Sequence, residues 1–189
     1  MILVVDHYDS FTFNLVQLIE SLGERTEVVK SDADTAERLV DREPAAVILS
    51  PGPGRPEDAG CFPRLLEILP DDTPVLGVCL GHQALGIAAG GVVERATPVH
   101  GKASLVHHDA SGIFEGVPNP FEAARYHSLV VRRDGLPNGL ELTAWSDDGL
   151  VMATRDRARP RFGVQFHPES ILTPHGPKIV RNFLSSARR

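Results

Sequence analysis

Cysteine is scarce. The 189-residue chain has two, Cys61 and Cys79. Two isolated thiols cannot build a disulfide framework, and neither lies in a Cys-x-x-Cys pair. A disulfide-stapled scaffold and a thiolate metal cluster are therefore excluded, and a reduced, cytosolic setting is expected. No apolar run approaches the roughly 18 residues of a membrane span. The first residues, Met1-Ile2-Leu3-Val4-Val5-Asp6, carry neither the basic nor the long apolar region of a signal peptide, so no membrane role is expected. Lysine is also rare, with 3 residues against 16 arginines, and the net charge is -6. An acidic chain without a basic cluster leaves no electrostatic footprint for nucleic acid. A Walker-type phosphate loop is missing, because Gly52-Pro53-Gly54 lacks the lysine such a loop needs. The histidines show no metal-ligand spacing. No metal or cofactor is expected, and no repeat or low-complexity segment is present.

What remains is ordinary globular material, 42% hydrophobic and 23% charged, enough for one domain over 1–189 with a full core. The first half alternates short apolar runs with helical patterns. Strands are predicted at Ile2–Val5, Thr26–Val29, Ala45–Leu49 and Pro74–Val78. Between them lie a helix capped by Ser10 and ended by Gly23, a short helix capped by Thr35, and a helix over Gly60–Leu69. That alternation predicts an α/β fold with a mainly parallel sheet flanked by helices on both faces. The second half reads as shorter strands: Val92-Val93, Ala103–His107, Phe121–Tyr126, Leu129–Arg132, Leu140–Trp145, Val151–Thr154 and Phe162–Phe166. Turn signals separate them, and no linker intervenes, so they are expected to extend the same sheet in antiparallel fashion. A last helix opens at Pro174 or Gly176.

The chemistry concentrates around Gly77-Val78-Cys79-Leu80-Gly81. A buried strand runs into a small-residue helix with the thiol at the turn, the G-x-S-x-G nucleophile elbow with Cys in place of Ser. Flanking glycines permit the sharp turn, and the N–H groups that open the following helix favour a thiolate. Cys61 has neither elbow nor base and reads as structural.

A thiol nucleophile needs a base, and the base an orienting group. His167 and Glu169, two apart on an extended segment within Gln165-Phe166-His167-Pro168-Glu169-Ser170, offer both. Together with Cys79 they fit a Cys-His-Glu triad. The Leu80 N–H is a natural oxyanion donor, and the Gly52-Pro53-Gly54 loop is a credible second source, each donor supplying about 3 kcal/mol to a transition state. In open α/β sheets all these segments would sit at strand carboxyl ends, where ligands bind.

Gly77-Val-Cys-Leu-Gly-His-Gln83 and Phe166-His-Pro-Glu-Ser170 resemble the class I (triad) glutamine amidotransferases. Within that family, Asp9-Ser-Phe-Thr12, Ser50-Pro-Gly-Pro-Gly54, His100-Gly-Lys102, Arg125-Tyr-His-Ser-Leu129 and Thr143-Ala-Trp145 resemble the glutaminase subunits (component II) of anthranilate synthase and of aminodeoxychorismate synthase. The similarity runs from Met1 to the final helix and implies a flavodoxin-like, mainly parallel sheet with an antiparallel extension. It implies that Cys79 attacks the carboxamide of glutamine, that His167 moves the protons, and that Glu169 orients His167. It further implies an oxyanion held by Gly54 and Leu80, with Gln83 and the Ser128-Leu129 main chain against the substrate. Ammonia would pass to a chorismate-binding synthase subunit (component I), with the Asp6–Thr12 and Arg55-Pro56 segments facing that partner. Two positions depart from the family pattern: His7, where Asn is common, and Arg55, where a small residue or Thr is common. Both bear on partner fit and neither on the triad. The competing readings are a glutaminase for another acceptor, as in imidazole glycerol phosphate or guanylate synthesis, and a non-catalytic module on the same fold.

Overall fold

The computed structural model describes residues 1–187, apart from the side chain of His100. In chain order the elements are β1 (Ile2–Asp6), α1 (Thr12–Ser21), β2 (Thr26–Lys30), α2 (Ala36–Val40), β3 (Ala46–Leu49), α3 (Phe62–Ile68), β4 (Val75–Val78), α4 (Leu80–Ala88), β5 (Val93–His108), β6 (Phe121–Val131), β7 (Leu140–Ser146), β8 (Val151–Asp156), β9 (Arg161–Val164) and α5 (Gly176–Ser186). The strands form one sheet in the order β2-β1-β3-β4-β9-β8-β7-β5-β6. The first five are mutually parallel, and the rest join antiparallel. The parallel half has the flavodoxin-like order, which reverses direction between β1 and β3. Among the described residues no helix is long and apolar enough to cross a membrane.

The near-continuous apolar runs have a direct cause: β1, β3, β4 and β9 are buried on both faces. Side chains alternate between two cores. Ile2 and Val4 pack with Leu15, Ile19, Ile179 and Phe183 from α1 and α5. Leu3 and Val5 pack with Leu39, Phe62, Leu65 and Leu85 from α2, α3 and α4. Each fully buried side chain of this size contributes about 1.5–3 kcal/mol relative to exposure. The helices are thus held on opposite faces, and the carboxyl ends of the central strands are left for loops.

Three details differ from the sequence reading. Val93 and the segment Ala103–His107 belong to one 16-residue strand, β5, which leaves Val92 just outside it. It stays continuous because register shifts between Arg95 and Val99 and between His100 and Lys102 absorb the irregularity. Pro98 is tolerated at the first of these bulges, and Gly101 takes φ +64° at the second. Likewise Phe121–Tyr126 and Leu129–Val131 are parts of one strand, β6, which ends before Arg132. Finally, Ser10 does not cap α1. The N-cap is Phe11, without a side-chain cap bond. The buried Asp6 carboxylate takes over that entry, accepting from Asp9 N at 3.2 Å and Thr12 Oγ1 at 2.9 Å. A fixed carboxylate one strand-end away is a stronger acceptor than a local hydroxyl.

Candidate active site

The parallel register between β4 and β9 assembles the site. Val78 pairs with Val164, so the next residue on each chain segment, Cys79 and Gln165, stand side by side. The Cys79 N–H donates to Val164 O at 2.8 Å. His167 follows two residues later and forms an isolated antiparallel bridge with Ala124 of β6. The sheet therefore curls, and its last strand returns over the carboxyl ends of β4 and β9.

At the turn, Cys79 has φ 53° and ψ -100°. This is a left-handed backbone for a residue with a Cβ, costing about 1–3 kcal/mol. The glycines around it serve close approach. A Cβ on Gly77 would sit 2.4 Å from the Gly81 carbonyl, and one on Gly81 would sit 2.3 Å from Leu49 O. The thiol is 7% exposed, and α4 begins at the next residue, Leu80. Its first N–H groups lie on the side of the sulfur.

His167 is locked in place. His167 Nδ1 and Glu169 Oε1 are 2.6 Å apart. The His167 N–H donates to Ala124 O at 3.0 Å, and its carbonyl accepts from Thr173 Oγ1 at 2.7 Å. Phe11 and Tyr126 stand edge-on to the imidazole, with ring centroids at 5.8 and 5.1 Å. With Nδ1 engaged, Nε2 is left buried without a conventional hydrogen bond, and it faces the sulfur. Burial alone would lower the imidazole pKa. Contact with the Cys79 sulfur and with the Glu169 carboxylate, and the charges of both, outweigh it and raise the value to about 10. The histidine carries its proton at neutral pH.

Beside the thiol opens a pocket of about 170 Å³. Gly52, Pro53, Gly54, Leu80, Gln83, Ser128 and Leu129 all line it, together with Cys79, Tyr126 and His127. Every residue read from the sequence as substrate-binding thus meets Cys79 in one concavity. Gly52 has no room for a side chain, since a Cβ would lie 2.6 Å from His7 O and 2.9 Å from Leu80 Cδ2. His7 itself is tied down, its N–H donating to Ser50 Oγ at 2.8 Å and its Nδ1 lying 2.8 Å from Ser31 Oγ. His7 thus lies directly beneath the glycine loop, presenting its main-chain carbonyl and its ring Cδ2 to Gly52.

The class-I glutamine amidotransferase family model matches residues 3–187. The chain belongs to the class-I glutamine amidotransferases. Anthranilate synthase component 2 of Azospirillum brasilense is 47% identical over 191 residues, covering 100% of this chain and 97% of that protein. Anthranilate synthase component 2 of Pseudomonas aeruginosa is 47% identical over 190 residues, covering 97% and 94% respectively. Among solved structures, a protein described as part of GMP synthase from Thermoplasma acidophilum superposes with a TM-score of 0.88 at 27% identity, covering 99% of this chain and 93% of that one.

Several parts of this amidotransferase's site had no assigned role in the sequence reading. Gln165 is fully buried and donates from Nε2 to Cys79 Sγ at 3.5 Å. Its signal was its place immediately after a strand that pairs with the nucleophile strand. Phe11 and Tyr126 cover the imidazole, and no spacing rule announces that contact. Asp9 is a half-buried carboxyl whose pKa is raised, first by burial, against the Phe11 N–H and the His167 charge that lower it. Three residues of the segments expected to face a partner are not on the surface: Asp6, Thr12 and Pro56 are buried, and Arg55 is exposed.

The two thiols are chemically distinct. Burial, with the charges of Asp32 and Asp34 adding to it, pushes the Cys61 thiol up to about 11. Cys61 is therefore protonated and slow to react over the neutral range. Iodoacetamide at pH 7 is expected to modify Cys79 and leave Cys61 at least about tenfold less labelled, as read by peptide mass spectrometry. Equal labelling would show that the elbow confers no reactivity.

Proposed function

We propose that the chain hydrolyses glutamine to glutamate and ammonia and passes the ammonia to a chorismate-binding synthase subunit for anthranilate formation. It would do so as one catalytic domain in a reducing, cytosolic setting. The observation that carries the chemistry is the line from Glu169 through His167 to Cys79, set beside a pocket lined by the Ser128-Leu129 main chain. The assignment of acceptor rests on relatives of about 47% identity, all along the chain, that are named anthranilate synthase component 2.

The steps follow from the geometry. The Cys79 thiolate adds to the side-chain carboxamide carbon, forming a C–S bond and placing negative charge on the oxygen. The Leu80 and Gly54 N–H groups are the donors for that oxyanion. The C–N bond then breaks as the His167 imidazolium gives its proton to nitrogen, and ammonia leaves a thioester. His167, now neutral, takes a proton from water as the oxygen adds to the same carbon. The C–S bond breaks with its electron pair returning to sulfur, and the glutamic acid formed releases a proton to solvent. Glu169 holds the ring orientation throughout and stabilises its charged form. The Phe11 and Tyr126 rings keep bulk water off the imidazole face they cover.

The departing ammonia has to avoid protonation in water, and a docked partner encloses it. Large apolar side chains are exposed near the site mouth: Tyr8 at 56%, Phe13 at 58% and Ile171 at 93%. Tyr8 lies on the β1–α1 loop, and Ile171 follows the triad segment by two residues. An exposed apolar set beside a catalytic mouth supports that face as the docking surface, and Arg55 adds a charge to it.

Co-purification with a chorismate-binding synthase subunit, followed by product identification from chorismate and glutamine, tests the reading. Anthranilate is the expected product. Aminodeoxychorismate would reassign the acceptor chemistry, and failure of any chorismate-binding protein to associate would overturn it. Glutamine turnover is expected to rise at least about tenfold on adding the partner, because Gly52–Gly54 sits on a loop whose position governs an oxyanion donor. Equal turnover with and without the partner would show that the hole is complete in the isolated chain.

A further inference from the structure

We propose that Gln165 is a further catalytic residue of this site: its carboxamide N–H holds the sulfur wherever the sulfur carries negative charge. The inference rests on the triad reading above and deepens it by adding a fourth group that touches the nucleophile.

The nitrogen and oxygen of a carboxamide are told apart only by their partners. Gln83 Nε2 donates to Leu129 O at 2.9 Å. A main-chain carbonyl only accepts, so the Gln83 atom facing it is the nitrogen. The same Nε2 donates to Gln165 Oε1 at 3.1 Å. The Gln165 atom facing Gln83 must accept and is therefore the oxygen. Gln165 Nε2 is then directed the other way, to Cys79 Sγ at 3.5 Å. A carbonyl on β6 thus dictates, through two carboxamides, that a donor and not an acceptor meets the thiol.

Gln165 has no freedom to turn. It is fully buried, and its own N–H donates to Met152 O at 2.8 Å. The sulfur accordingly lies between the imidazole of His167 and the amide N–H of Gln165. The relay continues outward. His127 Nε2 accepts from Arg125 Nε at 3.1 Å, which leaves the ring proton on Nδ1. Burial and the Arg125 charge lower the His127 pKa to about 4, so the ring is neutral at working pH. It packs next to the Leu129 segment as an uncharged neighbour, and His167, not His127, supplies the positive charge that faces the sulfur at pH 7.

A donor on sulfur matters at two moments. It stabilises the resting thiolate, and it stabilises the same charge when the C–S bond of the second tetrahedral intermediate breaks and the electron pair returns to sulfur. It does nothing for the bound amino acid's α-groups. Its loss should appear in turnover and in the pH dependence of the thiol, not in substrate binding.

The test is Gln165→Leu and Gln165→Glu in the full chain. The first removes the donor. The second keeps the shape and can still accept from Gln83, but presents an oxygen to sulfur; it reports even if the leucine variant loses its fold. Iodoacetamide labelling of Cys79 across pH 5–9 needs no glutamine and no partner. The pH of half-maximal labelling is expected to move up by about one unit in both variants, the scale of a hydrogen bond to a charged group. In the complex with the synthase partner, kcat for glutamine should fall about tenfold with KM within about twofold. Labelling profiles that coincide with the parent's, or a change in KM alone, would overturn the role. Because labelling is independent of glutamine chemistry, a shifted profile in a chain that hydrolyses no glutamine would leave Gln165 on the sulfur and overturn the glutaminase reading instead.

Discussion

Replacement of Cys79 by alanine is expected to eliminate glutamine-dependent product formation by about four orders of magnitude or more, while formation from added ammonium salt persists in the complex. The size follows from the absence of a substitute. Besides Cys79 itself, the pocket is lined by two glycines, one proline, two leucines, an amide, two hydroxyl groups and one neutral imidazole, none of which is an activated nucleophile. Cys61 is held protonated on the core of the α2–α3 side and takes no part in the pocket. The variant should fold normally, because the thiol is a small group and its removal leaves the strand, the helix and His167–Glu169 in place. The measurement is paired: anthranilate formation with glutamine and with ammonium salt, on the same preparation. Equal loss of both activities would show that Cys79 supports the partner's site and not the release of ammonia.

Gly81→Ala is expected to destabilise the chain by about 3 kcal/mol or more, at the upper end of overpacking penalties. For a chain of this length that is a melting temperature lower by roughly 6–12 °C. The added Cβ would sit 2.3 Å from Leu49 O and 2.7 Å from Leu49 Cβ. Leu49 is a fully buried residue of β3, whose backbone is held on both sides by β1 and β4, so the neighbour has nowhere to go. The relief available is to lift the start of α4, which carries Cys79 away from His167. Loss of turnover should therefore exceed the loss of folded protein at permissive temperature. Gly139→Ala is the control: nothing lies within 4 Å of its added Cβ and its φ is not in the left-handed range, so its effect should stay within about 0.5 kcal/mol. Denaturant midpoints and turnover of the two variants compare them directly. Similar stability for both would mean that the elbow can relax.

The parallel half of the fold was legible because each strand is buried on two faces and so spells itself as an apolar run. The elbow was legible because only small residues fit where Gly77 and Gly81 almost touch neighbouring backbone. The His-Glu pair could be read because two side chains on an extended segment share a side. The rest depended on pairings between distant segments. Nothing local distinguishes Val92–Val93 and Ala103–His107 from two short strands, since the bulges that join them are defined by β6. The contact of β6 with His167, which carries Ser128 and Leu129 over the thiol, comes from the curl of a whole sheet. The sequence resemblance pointed to those two residues, whereas spacing alone did not. Gln165 went without a role for the same reason: its meaning lies in the register of β4 against β9 and in the orientation of Gln83.

The bridge between Ala124 and His167 also has a consequence for the order in which the protein comes into being. His167 is fixed by Ala124 on one side and by Thr173 on the other, and Thr173 Oγ1 in turn accepts from the Ala124 N–H at 2.9 Å. During synthesis the elbow emerges well before His167, the group that would activate the thiol, and the clasp residue Thr173 emerges later still. Closing so long a loop is slow relative to local helix and turn formation. Until β9 and the turn before α5 have been made, the chain therefore carries an ordinary cysteine, and reactivity arrives together with that turn. The thiol is chemically quiet until that clasp closes.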